Sequence, residues 1–173
     1  PFQAAFDAGA GSLMSAFNES GGVPSSANPL ILRTILRDEW GWQGVALSDY
    51  EAIRELIPHG LATDLRDAAR LAITAGVDMD MMSYAYADHL AELVADGSVP
   101  EAIVDEAVRR VLLLKLQLGL FDQPYTDEAL PNTIVRREDF QDLALRAAPE
   151  SMVRHSNDAA SPTLSPKTRR LTL

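Results

Sequence analysis

Apolar positions along the chain gather in three short runs, each followed by helical patterning. Residues 12–17, Ser-Leu-Met-Ser-Ala-Phe, are the first run and predict a strand. Residues 44–48, Gly-Val-Ala-Leu-Ser, are continuous, as suits a strand buried on both faces of a parallel sheet. Residues 77–82, Val-Asp-Met-Asp-Met-Met, alternate with period two and predict a third strand. Asn28 and Pro29 open a helix that runs to Glu39, with Leu32, Ile35 and Leu36 on one face and Gly41 past its end. A short helix is expected over 50–57, a longer one over 64–75 stopped by Gly76, and another over 84–95 ended by Gly97. Ser98-Val99-Pro100-Glu101 has the pattern of a capping box. It opens the longest helix, to Leu118, whose stripe is Ile103, Ala107, Val111, Leu114 and Leu118. Alternation of this kind implies parallel strands with crossover helices.

After Phe121 the pattern changes. Residues 122–135 lack clear periodicity, a helix is expected over 137–148 with Pro149 as its stop, and residues 155–168 have linker composition. Three strands cannot close a barrel. Together with a start at Pro1-Phe2-Gln3 and an end that looks like a strand being entered, the pattern predicts a piece of a longer chain.

Composition removes several function classes. The 173 residues carry 15 Lys and Arg against 25 Asp and Glu, a net charge of −10. That balance argues against nucleic acid and against an anionic membrane surface as partners. With no cysteine, disulfides, thiolate metal sites and cysteine nucleophiles are excluded. No apolar run approaches the ~18 residues of a membrane span.

Asp49 is the first chemical candidate, because it stands where an apolar strand ends. Catalytic groups of α/β barrels sit at the C-terminal ends of strands. A second reading stands beside this one: Ser48-Asp49-Tyr50-Glu51 also has the spacing of a capping box. Asp78 and Asp80 form an Asp-x-Asp pair, which supplies two oxygen ligands and is too little to specify a cation site. Their other reading is structural acids bonded to backbone or Arg. His59, His89 and His155 show no metal-ligand spacing, and Trp40 and Trp42 read as packing of a helix end on the next strand. No phosphate loop, dinucleotide fingerprint or Gly-x-Ser-x-Gly elbow is present, so no cofactor and no metal is expected.

Further stretches carry a resemblance. They are Met14-Ser15-Ala16-Phe17-Asn18, Gly22-Val23-Pro24, Leu36 to Gly44, Val45-Ala46-Leu47-Ser48-Asp49-Tyr50, Ala75 to Met81, and Leu118-Gly119-Leu120-Phe121. In this order and spacing the chain resembles glycoside hydrolase family 3, in particular its bacterial β-glucosidases. The resemblance implies an α/β fold made of the last three βα units of a (β/α)8 TIM-type barrel, followed by a linker to a second α/β sandwich domain. The expected boundaries are 1–121 for the barrel part, 122–150 for a linker with one helix, and 151–173 for the start of the second domain.

The same resemblance implies a retaining β-glycosidase, with Asp49 as the catalytic nucleophile and the acid/base Glu in the second domain. Met14, Phe17 and Tyr50 are the implied substrate-binding residues. Phe17 stands where many members carry Tyr and lacks its hydroxyl. Gly21 stands where Asn is common, and Met152-Val153-Arg154-His155-Ser156 departs from the family's Leu-Leu-Lys. The implied partners are β-linked glucosides or oligosaccharides, and the implied location is periplasmic or secreted. Other readings are a member acting on β-xylosides or β-N-acetylglucosaminides, a non-catalytic carbohydrate-binding homologue and, apart from the family, an aldolase-like barrel. By itself the 173-residue piece is expected to be inactive.

Overall fold

The computed structural model describes residues 1–135 and 137–152. The chain divides into two units, Pro1–Tyr125 and Thr126–Leu173. The first unit is an α/β arrangement. It contains helix α1 (Phe2–Asp7), strands β1 (Ser12–Met14), β2 (Glu19–Ser20) and β3 (Val23–Pro24), a π-helix (Leu30–Glu39) and strand β4 (Val45–Leu47). A 3-10 turn (Arg54–Leu56) and helices α2 (Leu65–Ala75), α3 (Ala85–Ala95) and α4 (Glu101–Gln117) follow. In the second unit, α5 (Leu130–Ile134) and α6 (Glu138–Glu150) are the described helices.

β1 and β4 are parallel, with Ser12, Leu13 and Met14 opposite Val45, Ala46 and Leu47. The third expected strand shrinks to one parallel bridge, Leu47 to Met79. Side chains have taken its ladder positions. The Ala46 N–H donates to the Asp78 carboxylate at 2.9 Å, and the Val77 carbonyl accepts from the Tyr86 hydroxyl at 2.8 Å. Asp78 N–H still reaches the Ala46 carbonyl at 2.7 Å, so the segment stays docked without a regular ladder.

Other expectations need correcting. Residues 18–24, whose Gly-rich composition ending in Pro24 favours a loop, hold the antiparallel pair β2–β3, joined by Gly21 and Gly22 at φ 65° and 80°. Those angles fit the two-residue turn that matches strand twist. The helix expected over 50–57 is only the 3-10 turn Arg54–Leu56. Neither capping box forms at the expected helix starts. Pro100 precedes α4 without a side-chain cap, and the Ser98 N–H is taken by Asp96 at 2.9 Å. The stripe of α4 is covered only as far as Leu114, and Leu118 is exposed. α6 runs on through Pro149, whose missing N–H falls in the last turn, where little helix remains to disrupt. Helices α1 and α5 were not expected, and residues 153–173, with His155 and most of the expected second-domain start, lie outside the described residues.

Local signals hold where their partners are local. Asp64 caps α2 by accepting from the Asp67 N–H at 2.8 Å, and Gly76 ends it in the left-handed conformation. The π-helix starts after Asn28, whose Oδ1 accepts from the Ile31 N–H at 3.3 Å. It buries Leu32 and Leu36 against a core that includes Ile53, Leu56, Ile73, Val77 and Leu93. Ala68, Ala69 and Ala72 are fully buried on α2, small enough to bring backbones close.

Trp42 is buried, donates through Nε1 to the Ala10 carbonyl at 2.9 Å and packs on Phe6 with ring centroids 4.6 Å apart. Gly44 lies beneath that ring. A Cβ there would overlap Trp42 and stand 2.5 Å from the Gly11 carbonyl oxygen. Overpacking of this kind costs about 1–3 kcal/mol. Gly44→Ala is expected to lower the unfolding free energy measured in urea by that amount, and an unchanged value would mean that both the ring and the Gly11 backbone give way.

Candidate active site

The parallel segments end level with one another. Met14 faces Leu47 in register, and Leu47 bridges Met79. The Ser15 N–H donates to the Leu47 carbonyl at 2.8 Å and the Ser48 N–H to the Met79 carbonyl at 2.9 Å, which carries the alignment one residue further. The chain therefore leaves the sheet at one rim in three places: at 15–17, at 48–50 and at 80–84. Carboxyl ends of parallel strands are where α/β folds place their chemistry. Register brings Met14, Asp49 and Tyr50 to this rim, and Phe17 follows three residues after Met14. Met14, Phe17 and Tyr50 are exposed, and Asp49 is half-buried.

The three aspartates separate by their partners. Asp78 is committed to structure: its carboxylate accepts from Arg37 and from Arg110, each at 2.8 Å, as well as from the Ala46 N–H. Burial pushes the Arg37 guanidinium down to about 10, with Asp78 opposing the shift, so it stays charged at neutral pH. Asp80 accepts from the N–H groups of Ser83 and Tyr86, both at 3.3 Å, at the start of α3. Asp49 differs. Its Oδ1 accepts from the Tyr50 N–H at 2.6 Å, and among the described residues no cation forms an ion pair with it. The helix-start reading of Ser48 and Glu51 is overturned, because both bond to the neighbouring segment instead. The Ser48 hydroxyl accepts from the Met81 N–H at 2.8 Å, and the Glu51 N–H donates to the Met81 carbonyl at 2.8 Å.

Strain collects at the same rim. Among the described residues, the non-glycine positions with positive φ are Glu51 (56°), Met82 (66°) and Tyr84 (58°). Each such residue costs on the order of 1–3 kcal/mol and persists where surrounding structure enforces it. Met82 and Tyr84 are exposed, so the rim offers apolar surface on both sides of Asp49's strand. Sequence reading missed these two residues. Their position at the end of the third apolar run and two residues beyond it was the available signal.

A cavity of about 470 Å³ lies along β1, lined by Leu13, Met14, Phe6, Ile35 and Trp40 among others. Met14 is the one candidate residue it shares. Asp49, Phe17 and Tyr50 do not line it, so its apolar walls are not the carboxylate's surroundings. His59 and His89 pair with Glu19 and Glu92 at 3.0 and 2.9 Å. Among the described residues, no three His, Asp or Glu side chains gather to hold a metal ion. No described helix is long and apolar enough to cross a membrane.

Residues 1–114 match the Glycosyl hydrolase family 3 N terminal domain. The chain is 45% identical over 126 residues to the periplasmic beta-glucosidase of Salmonella typhimurium, covering 73% of this chain and 16% of that protein. It is 36% identical over 163 residues to a putative beta-xylosidase of Formosa agariphila, covering 91% and 21%. The beta-glucosidase structure from Listeria innocua superposes with a TM-score of 0.81 at 38% identity, covering 87% and 21%. That enzyme has also been solved with glucose and, as a mutant, with laminaribiose. The chain thus spans 16 to 21% of the length of these relatives.

Proposed function

The chain belongs to glycosyl hydrolase family 3, and from that premise we propose that it carries the nucleophile side of a retaining β-glycosidase site. The observation that carries this reading is Asp49: a carboxylate at the end of β4, half-buried, with no ion-pair partner among the described residues. A carboxylate neutralised by arginines, as Asp78 is, would be a poor nucleophile. On this reading an Asp49 oxygen forms a bond to the anomeric carbon as the glycosidic C–O bond breaks. The leaving oxygen takes a proton from an acid supplied elsewhere in the complete polypeptide. Water then attacks the glycosyl-enzyme, gives its proton to the same group, and releases Asp49 with net retention.

Met14, Phe17 and Tyr50 contribute apolar surface for the C–H faces of the sugar. The fold proposed for the complete protein is a (β/α)8 barrel whose last three βα units lie in this chain. Its substrates are terminal β-D-glucosyl residues of glucosides or oligosaccharides, by likeness to the Listeria enzyme. The Salmonella relative supports a periplasmic or secreted location. A β-xyloside is the second reading, supported by the likeness to the Formosa protein.

Proton NMR of the first sugar released from aryl β-glucoside and aryl β-xyloside by the complete polypeptide tests both readings. Expected is β-glucose ahead of its mutarotation, with the xyloside slower. Initial release of the α-anomer would overturn the retaining mechanism, and faster xyloside cleavage would favour the second reading.

A further inference from the structure

Both flanks of Asp49 are tied to a single neighbouring segment. On one side, Ser48 is fully buried, gives its N–H to the Met79 carbonyl and takes the Met81 N–H on its hydroxyl. On the other, Glu51 adopts φ 56° and gives its N–H to the Met81 carbonyl. The Met81 peptide is therefore gripped through its N–H and its carbonyl by residues 48 and 51, with Asp49 and Tyr50 between. That segment is itself held from outside. Arg54 donates through Nη2 to the Ser83 carbonyl at 2.9 Å and through its N–H to the Ser83 hydroxyl at 3.3 Å. Asp80 fixes the following turn through the N–H groups of Ser83 and Tyr86.

We infer that Ser48, with Met81 as its partner and Arg54 bracing Ser83 behind it, is the positioning residue that aims the Asp49 carboxylate. This rests on the reading of Asp49 as nucleophile and extends it. Ser48 touches no reacting atom: it acts by holding the turn in its strained shape. An in-line attack depends on such placement, and a displacement of about 1 Å can cost about a hundredfold in rate. Without the Ser48 hydroxyl, the 48–51 turn loses its hold on the Met81 N–H and keeps only the backbone bonds to the Met79 and Met81 carbonyls, and it relaxes around Asp49.

The test uses the complete polypeptide and 2,4-dinitrophenyl 2-deoxy-2-fluoro-β-glucoside. This probe loses dinitrophenolate as an ester bond forms between the nucleophile and its anomeric carbon, and the ester is slow to hydrolyse. Peptide mapping of the wild type locates the ester. A location other than Asp49 removes the reading this inference rests on, and the inference with it. With the ester on Asp49, Ser48→Ala is expected to slow trapping about 10- to 100-fold, while the probe's binding constant and the final extent of labelling hold. A purely structural role would lower the extent of labelling and the melting temperature and leave the rate per labelled site unchanged, which would overturn the inference. Arg54→Met, at a half-exposed side chain, is the second variant, expected to slow trapping in the same direction by a smaller factor. If Ser48→Ala does not fold, an unchanged trapping rate in Arg54→Met overturns the inference.

Discussion

Asp49→Asn is expected to abolish turnover of an aryl β-glucoside by the complete polypeptide, with kcat falling about 10⁴- to 10⁶-fold, the range spanned when single members of a catalytic constellation are removed. The substitution is chosen to change only the chemistry. Asn keeps the shape of Asp and an oxygen that can accept from the Tyr50 N–H, the bond Asp49 makes at 2.6 Å. It loses the negative charge and the nucleophilic oxygen pair. Because no described cation is paired with Asp49, removing its charge strands no partner, and stability should change by less than about 0.5 kcal/mol. Turnover within tenfold of the wild type would sink the assignment of Asp49. A large loss of stability alongside would show that Asp49 serves the fold instead.

Asp78→Ala should have the opposite profile. The Asp78 side chain is 2% exposed and holds Arg37, at 8%, and Arg110, at 12%. A buried ion pair is weak evidence of stability relative to a well-packed apolar core, but removing one partner leaves an uncompensated charge and costs about 3–5 kcal/mol. Arg37 is exposed to this cost because its Nε is already buried without a hydrogen-bond partner among the described residues. The substitution also frees the Ala46 N–H, which Asp78 binds at 2.9 Å, so β4 loses one of its bonds to the third segment while the backbone bonds remain. Urea unfolding of the chain, followed by fluorescence, measures the effect. Trp42 is a suitable reporter, since the Arg37 guanidinium lies 4.9 Å from its ring centroid. A loss below about 1 kcal/mol would mean that the network does not hold the strand ends.

The two substitutions show what could be read ahead of the structure. Asp49 follows an apolar run and Asp78 lies inside one, and sequence position favoured Asp49 only because its strand ends there. Their partners lie elsewhere in the chain: Arg37 is 41 residues from Asp78, and Arg110 is 32. No local pattern announces which acid those guanidinium groups will neutralise. The same limit explains one capping box: Ser48 has the right spacing, but its hydroxyl takes a donor 33 residues away. At Ser98 the competitor is local, since Asp96 two residues before it takes the N–H. Asn28, the cap expected from sequence, does form its bond to the nearby Ile31 N–H, and Asp64 caps α2 in the same local way. The left-handed Met82 and Tyr84 were also illegible, because nothing in their side chains favours positive φ.

The sequence alone determined the alternation of strands and helices, the parallel sense of the strands, the position of Asp49 at a strand end and the family resemblance. These rest on periodicity and on short motifs, which need only near neighbours. The tertiary structure decided which aspartate is spent on the fold and which has no ion-pair partner among the described residues, why the third strand is one bridge rather than a ladder, and how the turn around Asp49 is held. Those outcomes come from competition among hydrogen-bond donors and acceptors tens of residues apart. A carboxylate or hydroxyl that reaches a buried backbone group first displaces the local partner, because a buried polar group left unsatisfied costs more than a lost local bond returns.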